Sequence, residues 1–186
     1  MFIQTEATPN PETLKFLPGL QVLPRGTANF PSVEEAAISP LALRLFEIDG
    51  VSEVFLGGDF ISVSKDRGEW PHLKPMILGA IMEHFTAGLP VIDDGGQAAE
   101  GEDGPVFDEA DKAIVEQISE LIETRVRPVV AQDGGDITFH GFKTGIVYLH
   151  MRGACAGCPS STMTLKNGIE RMLQHYVPEV VEVQQI

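Results

Sequence analysis

Cys155 and Cys158 are the two cysteines of this 186-residue chain. Two residues apart, their thiols can grip one metal or each other. Their surroundings are nearly bare of side chain: Arg152-Gly153-Ala154 in front, Ala156-Gly157 between, and Pro159-Ser160-Ser161 behind. Pro159 can occupy the first turn of a helix, because a proline there gives up an N–H that has no partner anyway. A strand-like run at 146–151 leads in and a helical pattern leads out, so the pair is expected on a strand-to-helix loop. Thiolates at a helix start gain from the helix dipole and from free N–H groups, and a lowered cysteine pKa is the expectation.

Three chemistries use such a pair. Thiol–disulfide exchange has this geometry, yet only residues 159–186 follow the pair, room for one helix and one strand where that fold needs more. Structural zinc takes four closed ligands, and His140, His150 and His175 are not at a partner spacing, which leaves a zinc-bridged dimer as the form such a site would take. An iron–sulfur cluster is held by four thiolates, and a second copy of the same loop across a two-fold axis supplies the missing two. A cluster shared on a solvent-facing loop is easily lost, a defect in an enzyme and an advantage in a carrier. Ser160 and Ser161 read as helix-capping hydroxyls, and Asp133 and Asp136, flanking two glycines, as turn formers. No catalytic set stands beside the cysteines, and a non-enzyme is expected.

The elements that must position the pair follow from periodicity and breakers. Asp111, three residues after Asp108, predicts a capped helix with a buried stripe of Ile114, Ile118, Leu121 and Ile122, which Pro128 should kink or end. Asp133-Gly134-Gly135-Asp136 is a tight turn with glycines supplying positive φ. Residues 136–142 and 146–151 then pair as a hairpin, with Ile137, Phe139, Val147, Leu149 and Met151 on one face. A helix with Leu165, Ile169, Met172, Leu173 and Tyr176 along one side ends at Pro178, and residues 180–183 add a strand. The front of the chain predicts strands at 2–6 and 13–17 and a loop at 21–31 with a short strand at Val22 and Leu23. A helix follows Ser39-Pro40, then a hairpin of 51–56 with 60–64, then a helix carrying Ile77, Ile81, His84 and Phe85.

The predicted architecture is α+β: two small α+β domains, residues 1–90 and 109–186, the second running α-β-β-α-β with the cysteines on its strand-to-helix loop. Residues 91–108 carry six acids, no base and almost nothing to bury, and an acidic flexible linker is expected. The net charge of -14 argues against a nucleic-acid surface, which needs clustered Lys and Arg. The longest apolar run, 76–82, is too short to span a bilayer. Two cysteines make no disulfide framework and point to a reducing compartment. The opening residues 1–6 show no basic or apolar leader, from which a cytoplasmic protein is expected.

The motifs Arg127-Pro128, Asp133-Gly134-Gly135-Asp136, the run 153–161 and Thr164-Leu165-Lys166 resemble the C-terminal domain of NifU-type scaffolds. Thr8-Pro9-Asn10-Pro11, Thr13-Leu14-Lys15-Phe16 and Ser39-Pro40-Leu41-Ala42 resemble the N-terminal domain of Nfu proteins. The resemblance implies a scaffold or carrier in which Cys155 and Cys158 bind a [4Fe-4S] cluster, or a [2Fe-2S] one, shared between the protomers of a homodimer. It implies partners among apo iron–sulfur clients and upstream assembly proteins. Mitochondrial members of that family begin with a presequence, and a bacterial-type cytoplasmic form is expected here.

Overall fold

A computed structural model describes residues 1–93, 105–156 and 159–186, with the side chains of the last stretch described from residue 162 onward. The chain divides into two compact units, Met1–Glu100 and Gly101–Ile186.

The first unit is a five-stranded antiparallel sheet in the order β1-β2-β5-β4-β3, formed by β1 (Gln4–Ala7), β2 (Thr13–Leu17), β3 (Ala28–Phe30), β4 (Val51–Leu56) and β5 (Ile61–Lys65). Helices α1 (Pro40–Phe46) and α2 (Trp70–Thr86) bring Leu41, Leu45, Ile77 and Ile81 into its core with Phe16, Leu56 and Ile61. Ser39 caps α1 as expected, its Oγ accepting from the Ala42 N–H at 3.1 Å. The strand in the 21–31 region is not at Val22 and Leu23. Their two N–H groups both donate to the Gly58 carbonyl, at 2.8 and 3.2 Å, and their side chains are buried as a core-filling loop. β3 lies instead at Ala28–Phe30, in register with 54–56 of β4.

The expected linker is narrower at both ends. Val91 and Ile92 pack against the first core, the Ser39 hydroxyl donates to the Val91 carbonyl at 2.6 Å, and the Asp93 N–H donates to the Ile38 carbonyl. At the other end Val106 bridges to Gly141, and Phe107 packs against the second core. The segment between, 94–104, lies outside the described residues.

The second unit follows the predicted α-β-β-α-β order: α3 (Lys112–Leu121), a π-helical turn (Ile122–Val126), α4 (Arg127–Gln132), β6 (Gly135–Lys143), β7 (Ile146–Gly153), α5 (Pro159–Tyr176) and β8 (Glu182–Gln185). Its sheet runs β6-β7-β8, antiparallel then parallel. The capping box does not form, since neither Asp108 nor Asp111 makes a side-chain cap bond. Pro128 does not end the helix either; it sits in the first turn of α4, just after the π turn has re-registered the ladder. After Val115, the buried stripe runs through Ile118, Ile122, Val126 and Val130, spaced by four. An α-helix drifts by about 40° over each such step, so the wider π turn keeps these side chains over the sheet. A bulge between Phe139 and Gly141 flips the alternation of β6, so that Phe142 joins Ile137 in the core while Phe139 is only partly buried. Among the described residues no helix is long and apolar enough to cross a membrane.

His84 of α2 is wholly buried, and neither ring nitrogen has a well-formed hydrogen bond. Burial lowers its pKa below 6.5 and the Arg44 cation adds to this, the carbonyls of Pro90 and Leu89 offsetting only part. The unfolded chain therefore binds a proton that the folded unit refuses. Stability is intact above pH 6.5 and falls as the pH drops below it toward the folded-state value. Trp70, the single tryptophan, reports this unit alone. Urea melts followed by its fluorescence are expected to show that acid slope, and His84→Leu to flatten it; a slope unchanged in His84→Leu would assign it elsewhere.

Candidate metal centre

The cysteine loop is built on the turn that precedes β6. Gly134 has φ 78°, open to glycine at little cost, and its carbonyl accepts from the Ala154 N–H at 3.2 Å. Gly135 is a glycine for another reason than the expected positive φ: a Cβ there would lie 2.5 Å from the Cys155 Sγ and 2.9 Å from its backbone nitrogen. The sulfur thus rests directly on a bare backbone. On the far side Gly153, at φ 64°, turns the chain out of β7, the Ala156 N–H donates to its carbonyl, and the Thr162 hydroxyl donates to the Cys155 carbonyl at 3.0 Å. A tether from the first turns of α5 therefore reaches back to the loop, as a strand-to-helix connection should.

Cys155 is buried, with 7% of its surface exposed. Its thiol is not activated. Burial pushes its pKa up to about 12, and the carboxylates of Asp133 and Asp136 push in the same direction. The expected lowering by the helix start is overruled, because desolvation and two nearby anions both favour the neutral S–H. Cys158 and Gly157 lie outside the described residues, as do the side chains of Ser160 and Ser161.

Asp136 is more than a turn former. Its carboxylate, 3% exposed, accepts from Arg127 Nε and Nη2 at 2.9 Å each and from the Ile137 N–H at 2.8 Å. Arg127 Nη1 also donates to Glu123 at 2.7 Å, and these partners raise the guanidinium pKa still further, the Asp136 bond foremost. This clamp escaped the sequence reading, although an arginine and an aspartate inside apolar runs, one on each side of a turn, were its signal. The three histidines are not gathered at the cysteine. His140 and His150 stack edge to face at 4.9 Å, and His175 pairs with Tyr176. Among the described residues no three of His, Cys, Asp and Glu converge as a metal cage. Lys166 of α5 is paired with Glu182 at 3.7 Å.

Two sequence families match this chain: the N-terminal domain of the Nfu/NifU scaffold proteins over residues 3–88, and the NifU-like domain over residues 118–184. The chain belongs to the Nfu family. The protein named NFU1 iron-sulfur cluster scaffold homolog, mitochondrial, of Drosophila virilis is 52% identical over 188 aligned positions, covering 100% of this chain and 62% of its own length. Its namesake from Drosophila sechellia is 50% identical, over 100% of this chain and 65% of its own length. The chain thus spans less than two thirds of these relatives. A NifU-like protein from Saccharomyces cerevisiae, solved by NMR, is 30% identical over 50% of this chain and 86% of its own, at a TM-score of 0.46. The relatives' mitochondrial designation overturns the expectation of a bacterial-type cytoplasmic protein. That expectation rested on the character of residues 1–6, which decide nothing when the relatives are half as long again.

A buried, neutral thiol has a kinetic signature. In a Cys158→Ser chain, alkylation of Cys155 near neutral pH should be slower than that of an open cysteine by roughly 100- to 1,000-fold, since only the thiolate attacks. Its rate should keep climbing past pH 9.0, the ordinary thiol value, toward about 12. A plateau near 9.0 would show that the sulfur is neither buried nor opposed by the two acids.

Proposed function

We propose that this chain is an iron–sulfur scaffold and carrier, not an enzyme, in which Cys155 and Cys158 hold a [4Fe-4S] cluster as cargo together with the same pair of a second protomer and release it to apo-proteins. The observation that carries this reading is a cysteine seated on the Gly135 backbone at a strand-to-helix loop, in a chain of the Nfu family whose relatives are named iron-sulfur cluster scaffolds. Upstream assembly proteins and apo clients are the partners such a role requires, in the compartment for which the relatives are named.

The residues present suit a cargo site better than a redox catalyst. A thiol that exchanges disulfides works best with a pKa near ambient pH, whereas Cys155 is held up at about 12. Held as S–H, it is protected from oxidation while empty, because susceptibility follows thiolate character and exposure. Loading must displace its proton, so uptake is coupled to proton release. A cubane cluster with two thiolates from each chain closes a two-fold arrangement.

Anaerobic reconstitution with iron and sulfide tests this, with metal and sulfide counted and mass followed by light scattering. The expected product is a dimer with about four irons per two chains, dissociating or weakening on chelation. Cys155→Ser and Cys158→Ser should abolish uptake about equally. Four irons on a monomer would reject the shared site, and catalytic disulfide turnover that depends on one cysteine more than the other would reject the carrier.

A further inference from the structure

The cysteine loop has an anchor that lies well outside it. Cys155 rests on Gly135, and Ala154 is bonded to Gly134, so the position of the sulfur is set by the position of the 133–136 turn. That turn is in its place because the Asp136 carboxylate is forked by Arg127, with two N–H···O bonds of 2.9 Å. Arg127 is aimed in turn by Glu123 at 2.7 Å, four residues back across the π-helical turn. π turns are rare and gather at functional sites, where they re-aim a side chain.

We propose that Arg127 is the positioning residue of the cysteine loop: its fork on Asp136 locks the 133–136 turn beneath Cys155, and the π-helical turn with Glu123 is the device that points the fork. Only a guanidinium can do this, since its planar donors match both carboxylate oxygens while a lysine ammonium offers a point charge. The inference concerns the empty protein first; it rests on the carrier reading only where the loaded form is concerned.

The test uses the full chain carrying Cys158→Ser, so that Cys155 is its one thiol, and follows iodoacetamide alkylation of the empty protein. Arg127→Met and Asp136→Asn are each expected to raise the rate roughly 10- to 100-fold, the factor by which a net loss worth one charge-assisted bond shifts a local opening equilibrium. Arg127→Lys should resemble Arg127→Met, and the Arg127→Met/Asp136→Asn double variant should add little to either single one, because they break one interaction. A purely electrostatic effect has the opposite sign at one position: loss of the guanidinium would discourage the thiolate and slow the reaction. Ile118→Val, a plain loss of core packing, should leave the rate unchanged. If Arg127→Met fails to fold, the charge-conserving Arg127→Lys decides, with circular dichroism confirming its fold, because electrostatics alone would leave its rate unchanged. A folded variant with an unchanged or slower rate, or an equal acceleration in Ile118→Val, would overturn the assignment. In the chain with both cysteines, loaded with iron and sulfide, Arg127→Met should lose iron to a chelator faster than the parent. A parent that takes up no cluster would strike the carrier reading and leave the alkylation result standing, whereas unchanged alkylation strikes the anchor and leaves the carrier.

Discussion

A carboxylate in a domain interior, on a residue with 3% of its surface exposed, needs a counter-charge and a full set of donors. Asp136 has both in Arg127 and the Ile137 N–H, and much of the second unit can be traced to meeting that demand. Arg127 must reach across from the helical side, so the helix that carries it has to present a charge toward the sheet just where its apolar stripe also faces the sheet. The π turn at Ile122–Val126 reconciles the two: it keeps Ile118, Ile122, Val126 and Val130 over the sheet and turns Arg127 toward the turn at 133–136. It also absorbs Pro128, which brings no N–H to the ladder and falls where the helix has already changed its register.

The legible part of this fold was the part governed by local rules. The hairpins at 51–65 and 135–153, the cap at Ser39, the glycine turn and the α-β-β-α-β order rest on periodicity and turn chemistry, and they came through. The failures were non-local. β3 was invisible because Ala28–Phe30 is three residues long and becomes a strand only by pairing with β4. The parity of β6 could not be read because one bulge residue, His140, exchanges Phe139 for Phe142 on the core face. Pro128, expected to kink or end the helix, does not end it, because it falls in the first turn of α4 after the π turn.

The site shows the same division. Spacing alone singled out Cys155, and Gly134 was correctly a turn glycine. The reason for Gly135 lay in a contact with a residue twenty positions later, which no local pattern encodes. The sign of the Cys155 shift was missed for a related reason. A helix start is a local feature and favours the thiolate, but burial and the anions at 133 and 136 arrive through the tertiary fold and outweigh it.

That reversal bears on how such a site can both keep and surrender a cargo. Holding the empty thiol at about 12 rather than its ordinary 9.0 favours the protonated state by on the order of 4 kcal/mol. On the carrier reading, every Cys155–iron bond must displace that proton, so the protein's own preference for S–H competes with the metal. Two consequences pull together: the empty loop is hard to oxidise, and the loaded loop gives up its cargo more readily than a cysteine with a depressed pKa would. The Asp136 carboxylate serves both ends of this arrangement. Through Arg127 it fixes the floor on which the sulfur sits, and through its own charge it discourages the thiolate. On that reading, precision of placement comes through Asp136, while looseness of grip comes first from burial of the sulfur, with Asp133 and Asp136 adding to it.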